Sequence, residues 1–344
     1  MKLAESEMHI LMFECCQMTK GYSRALLVDF QRREIEFLDN EIYSIFYEGR
    51  NKKETLKTIL TLYSDEEKKI VEEYFTYLLD KEYAFLCSPD EIALFPSLNL
   101  EWDNPSVITN CLIDLNLNVA DLEPYYQAIE QLQNLGCEHL QIRDFYGCNT
   151  AVIEKLLNKC TNTIVFKIEL LLKYLPAYTL EYFNNLLQKY PIINELILHS
   201  AGFSKQIPQE TTQIFYITTQ VIDKHTHCGV VSPAYFNLSL EHFTESVNFN
   251  SCLNRKISID ENGLIKNCPS MKTSFGHISN TTFHDVILNK GFTDLWNVKK
   301  DQIETCSVCE FRHICTDCRA FHSTDLNYNK PSKCTYDPIN MVWG

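Results

Sequence analysis

The 344-residue sequence predicts an α/β protein in three parts: a small α+β domain, a partial (β/α) barrel and a cysteine-rich end. Three observations lead there. Residues 107–222 alternate short apolar runs with amphipathic helical stretches, the pattern of parallel strands joined by helical crossovers. Before them, residues 9–96 run through strand-like segments and then three helices. After them, seven cysteines fall between Cys252 and Cys334 in short, regular spacings. Packing needs no such density of thiols, whereas a metal or iron–sulfur site does, because thiolates are its ligands. The expected boundaries are 1–98, 99–225 and 226–344.

Composition narrows the function classes. A net charge of −14 argues against nucleic-acid binding and against docking on an anionic membrane. The most apolar run, residues 163–178, is interrupted by Lys167, Glu169 and Lys173, and is too short and charged to span a bilayer. The first residues lack a long apolar stretch, so no signal peptide is expected and the cytoplasm is the expected location. Fifteen cysteines in a long chain without a secretion signal point to metal binding rather than a disulfide framework. Cys15, Cys16, Cys87, Cys137, Cys148 and Cys160 sit singly or paired in strand or helix patterns and read as buried apolar thiols.

The elements follow in order. Residues 9–15 read as a strand, Thr19-Lys20-Gly21 as a turn, and 23–30 and 33–38 as two further strands. Residues 40–49 read as a helix ended by Gly49, and 51–63 as a second helix. Ser64 and Glu67 form a capping box for a third, with Ile70, Tyr74, Tyr77 and Leu78 on one face. Residues 83–96 read as a hairpin turned at Ser88-Pro89-Asp90. This set resembles the PqqD-like RiPP recognition element, a winged-helix module. The resemblance implies that the leader of a precursor peptide adds as a strand along Glu34, Ile35, Glu36 and Phe37. It would pack on Tyr74, Tyr77 and Leu78, with edge amides supplying affinity.

Residues 98–106, with Pro96 and Pro105 around them, read as a linker. Five strands then alternate with helices, which suits an open or partial barrel better than a full eight-fold one. Asp144, Tyr146 and His199 fall at strand ends that would form its mouth. In the cysteine-rich end, Cys252 is followed by ten residues, Gly263, four residues and Cys268. Glu261-Asn262-Gly263 turns a hairpin that returns Cys268 towards Cys252. Then come Cys306, Cys309, Cys315 and Cys318, and later Cys334.

A partial barrel with this cysteine series resembles radical SAM enzymes of the SPASM group. Two departures stand out. The CxxxCxxC positions that would hold the S-adenosylmethionine cluster are Cys111, Leu115 and Asn118, and a leucine side chain cannot ligate iron. The GGE-type stretch is replaced by Arg143-Asp144-Phe145-Tyr146-Gly147. No S-adenosylmethionine cluster is therefore expected, and Cys111 reads as a buried strand thiol. The resemblance implies two [4Fe-4S] clusters. Cys252, Cys268 and Cys318 would hold the first, and Cys306, Cys309, Cys315 and Cys334 the second. The spacing between Cys315 and Cys318 is one residue shorter than the family's. Cys228, in His225-Thr226-His227-Cys228-Gly229, is the candidate fourth ligand of the first cluster. The reading of Cys228 as an ordinary loop thiol stays open, as does ligation by His225 or His227. Cys306, Cys309, Cys315 and Cys318 alone would also suit a zinc ribbon. The hairpin ahead of them and Cys334 behind favour the two-cluster layout.

The order of the three parts, with the phrases NCPSM, CEFRHICTDCRAF and the terminal Tyr-Asp-Pro and Trp, resembles the SPASM-domain peptide maturase of the grasp-with-spasm system. That resemblance implies an accessory role in maturing a ribosomally made peptide, with the peptide leader and an ATP-grasp ligase as partners. Two alternatives stand beside it: an iron–sulfur redox or peptide-modifying enzyme, and a zinc-stabilised interaction protein.

Overall fold

The computed structural model describes residues 3–47, 49–116, 121–147, 150–165, 167–322 and 328–344. Asn118 and Cys148 lie outside the described residues. The first part contains strands β1 (His9–Met12), β2 (Cys16–Lys20), β3 (Ala25–Asp29) and β4 (Glu34–Leu38). Helices α1 (Asn40–Tyr47), α2 (Arg50–Lys53), α3 (Leu56–Leu60) and α4 (Asp65–Asp80) follow, then strand β5 (Ala84–Cys87). Strands β2, β3 and β4 form an antiparallel sheet, and β1 pairs separately with β5.

Three expectations are corrected in this region. The strand read over 9–15 ends at Met12, where the Cys16 amide closes a turn on the Phe13 carbonyl, and Thr19 and Lys20, read as a turn, belong to β2 in another sheet. The helix read over 51–63 breaks where Thr55 leaves helical geometry and caps α3, accepting from the Thr58 amide. The hairpin read over 83–96 does not form. Pro89 starts a 3₁₀ turn over Pro89–Leu94, capped by the Ser88–Glu91 pair, and β5 bonds to β1 instead. The capping box of α4 is present as expected. Its buried face is Val71, Phe75 and Leu78, so the stripe is rotated and Ile70 is 55% exposed.

The second part runs β6 (Asn110–Leu115), α5 (Glu123–Asn134), β7 (His139–Asp144), α6 (Thr150–Cys160), β8 (Lys167–Lys173), α7 (Leu180–Lys189) and β9 (Ile193–His199). Strands β10 (Lys205–Ile207) and β11 (Ile214–Ile217) complete it. Beyond come α8 (Leu240–Asn248), β12 (Lys256–Ile259), β13 (Ile265–Lys266), α9 (Phe283–Leu288), α10 (Lys290–Thr293) and a terminal hairpin of β14 (Tyr336–Asp337) and β15 (Val342–Trp343). Strands β10–β11–β9–β8–β7–β6–β12–β13 make one sheet of eight, mostly parallel. The fold is mixed α/β, and its sheet is larger than the five strands expected. Strand β12 pairs in parallel with β6, so the sheet passes through the boundary placed at 225.

The strand period of two divides the sheet into faces. Cys111, Ile113, Leu115, Leu140 and Ile142 bury against α5 and α6 together with Cys137 and Cys160. The opposite face carries Asn110, Gln141, Arg143, Glu169 and Lys256, which line cavities. Among the described residues, no helix is long and apolar enough to cross a membrane.

Candidate metal centres

The eight cysteines expected as ligands fall into two sets. Cys228, Cys252, Cys268 and Cys318 line one cavity of about 380 Å³. Cys306, Cys309, Cys315 and Cys334 line a second, of about 20 Å³, whose walls also include Val231, Phe236, Phe311, Tyr336, Lys300 and Arg312.

Local structure explains how each thiol arrives. Cys252 follows α8 in a turn held by Asn250, whose side-chain oxygen accepts from the amides of Cys252 (3.0 Å) and Leu253 (2.9 Å). The Asn250 amide group donates to the Val298 carbonyl and to Asp317, both at 2.9 Å. Asn250 is fully buried and ties the first set to the loop of the second. Gly263 has φ of +76°, and the β12–β13 hairpin it turns delivers Cys268 to the cavity that Cys252 lines. Gly229 has φ of +82°, and a Cβ there would lie 2.9 Å from the Cys318 sulfur. Only glycine lets the Cys228 loop approach Cys318 that closely.

The short Cys315–Cys318 spacing still sends the two thiols into different cavities. Between them Asp317 forms a buried ion pair with Arg319 at 2.6 Å. Cys306–Val308 is a 3₁₀ turn preceded by Thr305 at φ of +67°. The Cys309 amide donates to Cys306 (3.0 Å), and the Cys315 amide to Phe311 (3.0 Å).

Burial pushes the thiols of Cys252 and Cys309 up to about 12 and that of Cys306 up to about 11. Bare, they hold their protons at neutral pH, and a bound metal would displace them. Neither set contains three thiols within 4.8 Å of one another. Zinc–sulfur bonds of about 2.3 Å place tetrahedral sulfurs about 3.8 Å apart. Neither set gathers three sulfurs that closely, whereas a cluster with iron at each corner holds its thiolates farther apart. The one set of three candidate ligands that close together, among the described residues, is Cys15, Cys16 and Asp29. There the Asp29 carboxylate is occupied by the Arg32 guanidinium (3.1 Å) and by the amides of Gln31 and Arg32.

Both loop histidines line the first cavity with a ring nitrogen engaged: His225 with Ser270 (3.0 Å) and His227 with Asp223 (2.8 Å). At the positions compared with an S-adenosylmethionine site, Cys111 and Leu115 are buried on the helix-facing side of β6. Arg143 instead reaches into the first cavity, holding Asp114 through two hydrogen bonds of 2.6 and 2.9 Å. Asp144 and His199 brace the strand ends: Asp144 accepts from the amides of Tyr146 and Gly147, and the Nε2 of His199 lies 2.9 Å from the Asp144 carbonyl. Tyr146 donates to Glu261. None of the three lines the first cavity, which the neighbouring Phe145 does.

In the first part, β4 bonds only to β3 among the described strands. Glu34 lies 3.4 Å from the Tyr83 hydroxyl, and Tyr77 hydrogen-bonds Glu36. Tyr74 is half-buried against the core of this part. Leu78 is wholly buried in that core and presents nothing to a ligand, because the buried stripe of α4 is rotated. Ile35 and Phe37 face the other way. Phe37 lies under the Arg24 guanidinium (3.4 Å) and edge-on to Phe311. Sequence reasoning missed Arg143, Asn250, Lys256 and Lys300 as site residues. No spacing rule marks them, because they converge only through the β6–β12 pairing and the turn at 300.

No family model matches the chain, and no curated protein does. Solved structures do align with it. The chain is similar to SuiB. A crystal structure of Streptococcus suis SuiB bound to S-adenosylmethionine covers 94% of this chain and 99% of that one, with a TM-score of 0.40 and 11% identity. A second structure of Streptococcus suis SuiB covers the same shares, with a TM-score of 0.37 and 12% identity.

Proposed function

We propose that the chain is an accessory protein in the maturation of a ribosomally made peptide, carrying two [4Fe-4S] clusters and no S-adenosylmethionine cluster. The observation that carries this reading is the sorting of eight cysteines, four and four, around two cavities. Cys228, Cys252, Cys268 and Cys318 would hold the first cluster, and Cys306, Cys309, Cys315 and Cys334 the second. When bound, such clusters supply one-electron chemistry or a rigid cross-link among distant segments. The lack of three closely gathered sulfurs in either set favours clusters over zinc. The leader of the peptide would add along the open edge of β4, beside Glu34, Glu36 and Tyr77, and an ATP-grasp ligase would receive the complex. The expected domains remain 1–98, 99–225 and 226–344, with the β12–β13 hairpin as the element shared across the last boundary.

The test is metal and sulfide analysis after anaerobic purification, joined to leader binding by calorimetry. Iron and sulfide in equal amounts, sufficient for two cubanes, is the expected result. Zinc without sulfide would overturn the cluster reading, and a leader that does not bind would overturn the peptide role. A second reading, a redox or peptide-modifying enzyme, is favoured by the size of the first cavity. It has room beyond its four thiols and is lined by Gln141, Arg143 and Lys224. A mass change in the precursor that needs this chain and an electron donor would support it.

A further inference from the structure

Each four-cysteine set has one lysine ammonium beside one of its sulfurs. Lys300 donates to the Cys315 sulfur at 2.8 Å and to the Thr316 carbonyl at 3.3 Å, and it is 4% exposed. Lys256, on β12, lies 3.9 Å from the Cys252 sulfur. A buried ammonium without compensation is unfavourable. Lys300 has nearby compensation in Asp317 and in the thiolates that a metal would create.

The two environments differ. The cavity beside Lys300 is small and mostly apolar, and the other cation on its wall, Arg312, is paired with Asp301 at 2.8 Å. Lys256 lines a wide cavity, about half polar, that Cys228 and Cys252 also line. A charge acts more strongly in the first setting, where little water screens it. Reduction adds one electron, hence one more negative charge, to a cluster already made anionic by four thiolates. Hydrogen bonds to the sulfurs and nearby positive charge favour that step.

We propose that Lys300 is the positioning residue that raises the reduction potential of the second cluster through Cys315, and that Lys256 does the same, more weakly, for the first. The inference rests on the cluster reading above. It assigns different electronic roles to the two sites: the cluster in the small apolar cavity accepts an electron more readily than the one in the wide cavity.

The experiment uses full-length wild type, K300Q, K300R and K256Q, each reconstituted anaerobically with iron and sulfide. Each is titrated with dithionite while EPR follows the reduced clusters. The expected result is a negative shift of one midpoint in K300Q, its return in K300R, and a smaller shift of the other midpoint in K256Q. If K300Q loads only one cluster, loading of both by K300R carries the same conclusion, and equal failure of K300R overturns it. K300Q midpoints equal to wild type in fully loaded protein overturn the role of Lys300 and leave the cluster reading standing. Absence of iron and sulfide from all four proteins overturns both.

Discussion

Gly229 and the Arg143–Asp114 pair show how single side chains shape the first cavity. At Gly229 any side chain meets both a left-handed backbone and the Cys318 sulfur. G229A should lower stability by about 1–2 kcal/mol and halve the bound iron, read by thermal melting and metal analysis. Arg143 and Asp114 are both buried, at 5% and 1% exposure. Asp114→Ala leaves a buried guanidinium unpaired and should destabilise by about 3–5 kcal/mol. The double replacement of Asp114 by Leu and Arg143 by Met should cost much less, and denaturant midpoints of the two variants check it. The role of Gly229 was legible in part, since glycine beside Cys228 implied close approach. The ion pair was not, because Asp114 and Arg143 meet only through the register of β6 against β7.

At the scale of an element, helix α8 carries two titrating groups with opposite linkage. Burial lowers His242 to about 4, and burial raises Glu245 to about 7. Below the ordinary histidine value the unfolded chain takes up more protons at His242 than the folded one. Stability from this group therefore rises with pH across about 4 to 6.5. Glu245 works in reverse: the folded state keeps its proton longer, so stability falls as pH rises from about 4.5 to 7. H242Q should remove the rising term, worth up to about 3 kcal/mol at about 1.4 kcal/mol per pK unit. E245Q should remove the falling one. Thermal melts of the two variants between about pH 5 and pH 7 should therefore diverge from wild type with opposite slopes. The same element-scale view explains which helices could be read from sequence. Those with a full capping box, such as α4 after Ser64, stood out, whereas α2 and α3 were fused because Thr55, the cap at their break, has Thr58 rather than Glu or Gln three residues on. Strand β12 was legible as half of a hairpin, and its place beside β6 was not, since pairing at that distance leaves no local trace.

Across the whole molecule, the loop of the second cysteine set is where the first part is fastened. The Tyr22 amide donates to the Val308 carbonyl (2.7 Å), Thr19 meets His313 (3.2 Å), and Arg24 binds the fully buried Glu310 (2.9 Å). Glu310 also accepts from Tyr336 at 2.6 Å. Leu26 and Val28 of β3 share one core with Phe311, Ile314 and Tyr336. C309S should therefore raise hydrogen exchange across 16–38, and C268S should leave that segment protected. Equal exchange in both variants would count against the coupling. The cysteine series could be read from spacing, and its division into two sets of four was implied by the resemblance, a grouping the two cavities share. This fastening could not, because Glu310 and Arg24 are each an ordinary charged residue until the fold joins them.

The pairing of β12 with β6 has a consequence for the order of assembly. Cys111 of β6 takes Ile257 as its partner, so this edge of the sheet stays open until most of the chain has been made. Contacts so distant in sequence form slowly. Until they form, β6 presents bare amides and carbonyls that invite association with other chains. The closing strand lies between Cys252 and Cys268, so the event that completes the sheet also brings these two thiols to the first cavity. Iron delivered before that moment would find scattered cysteines, and iron delivered after it would find a socket.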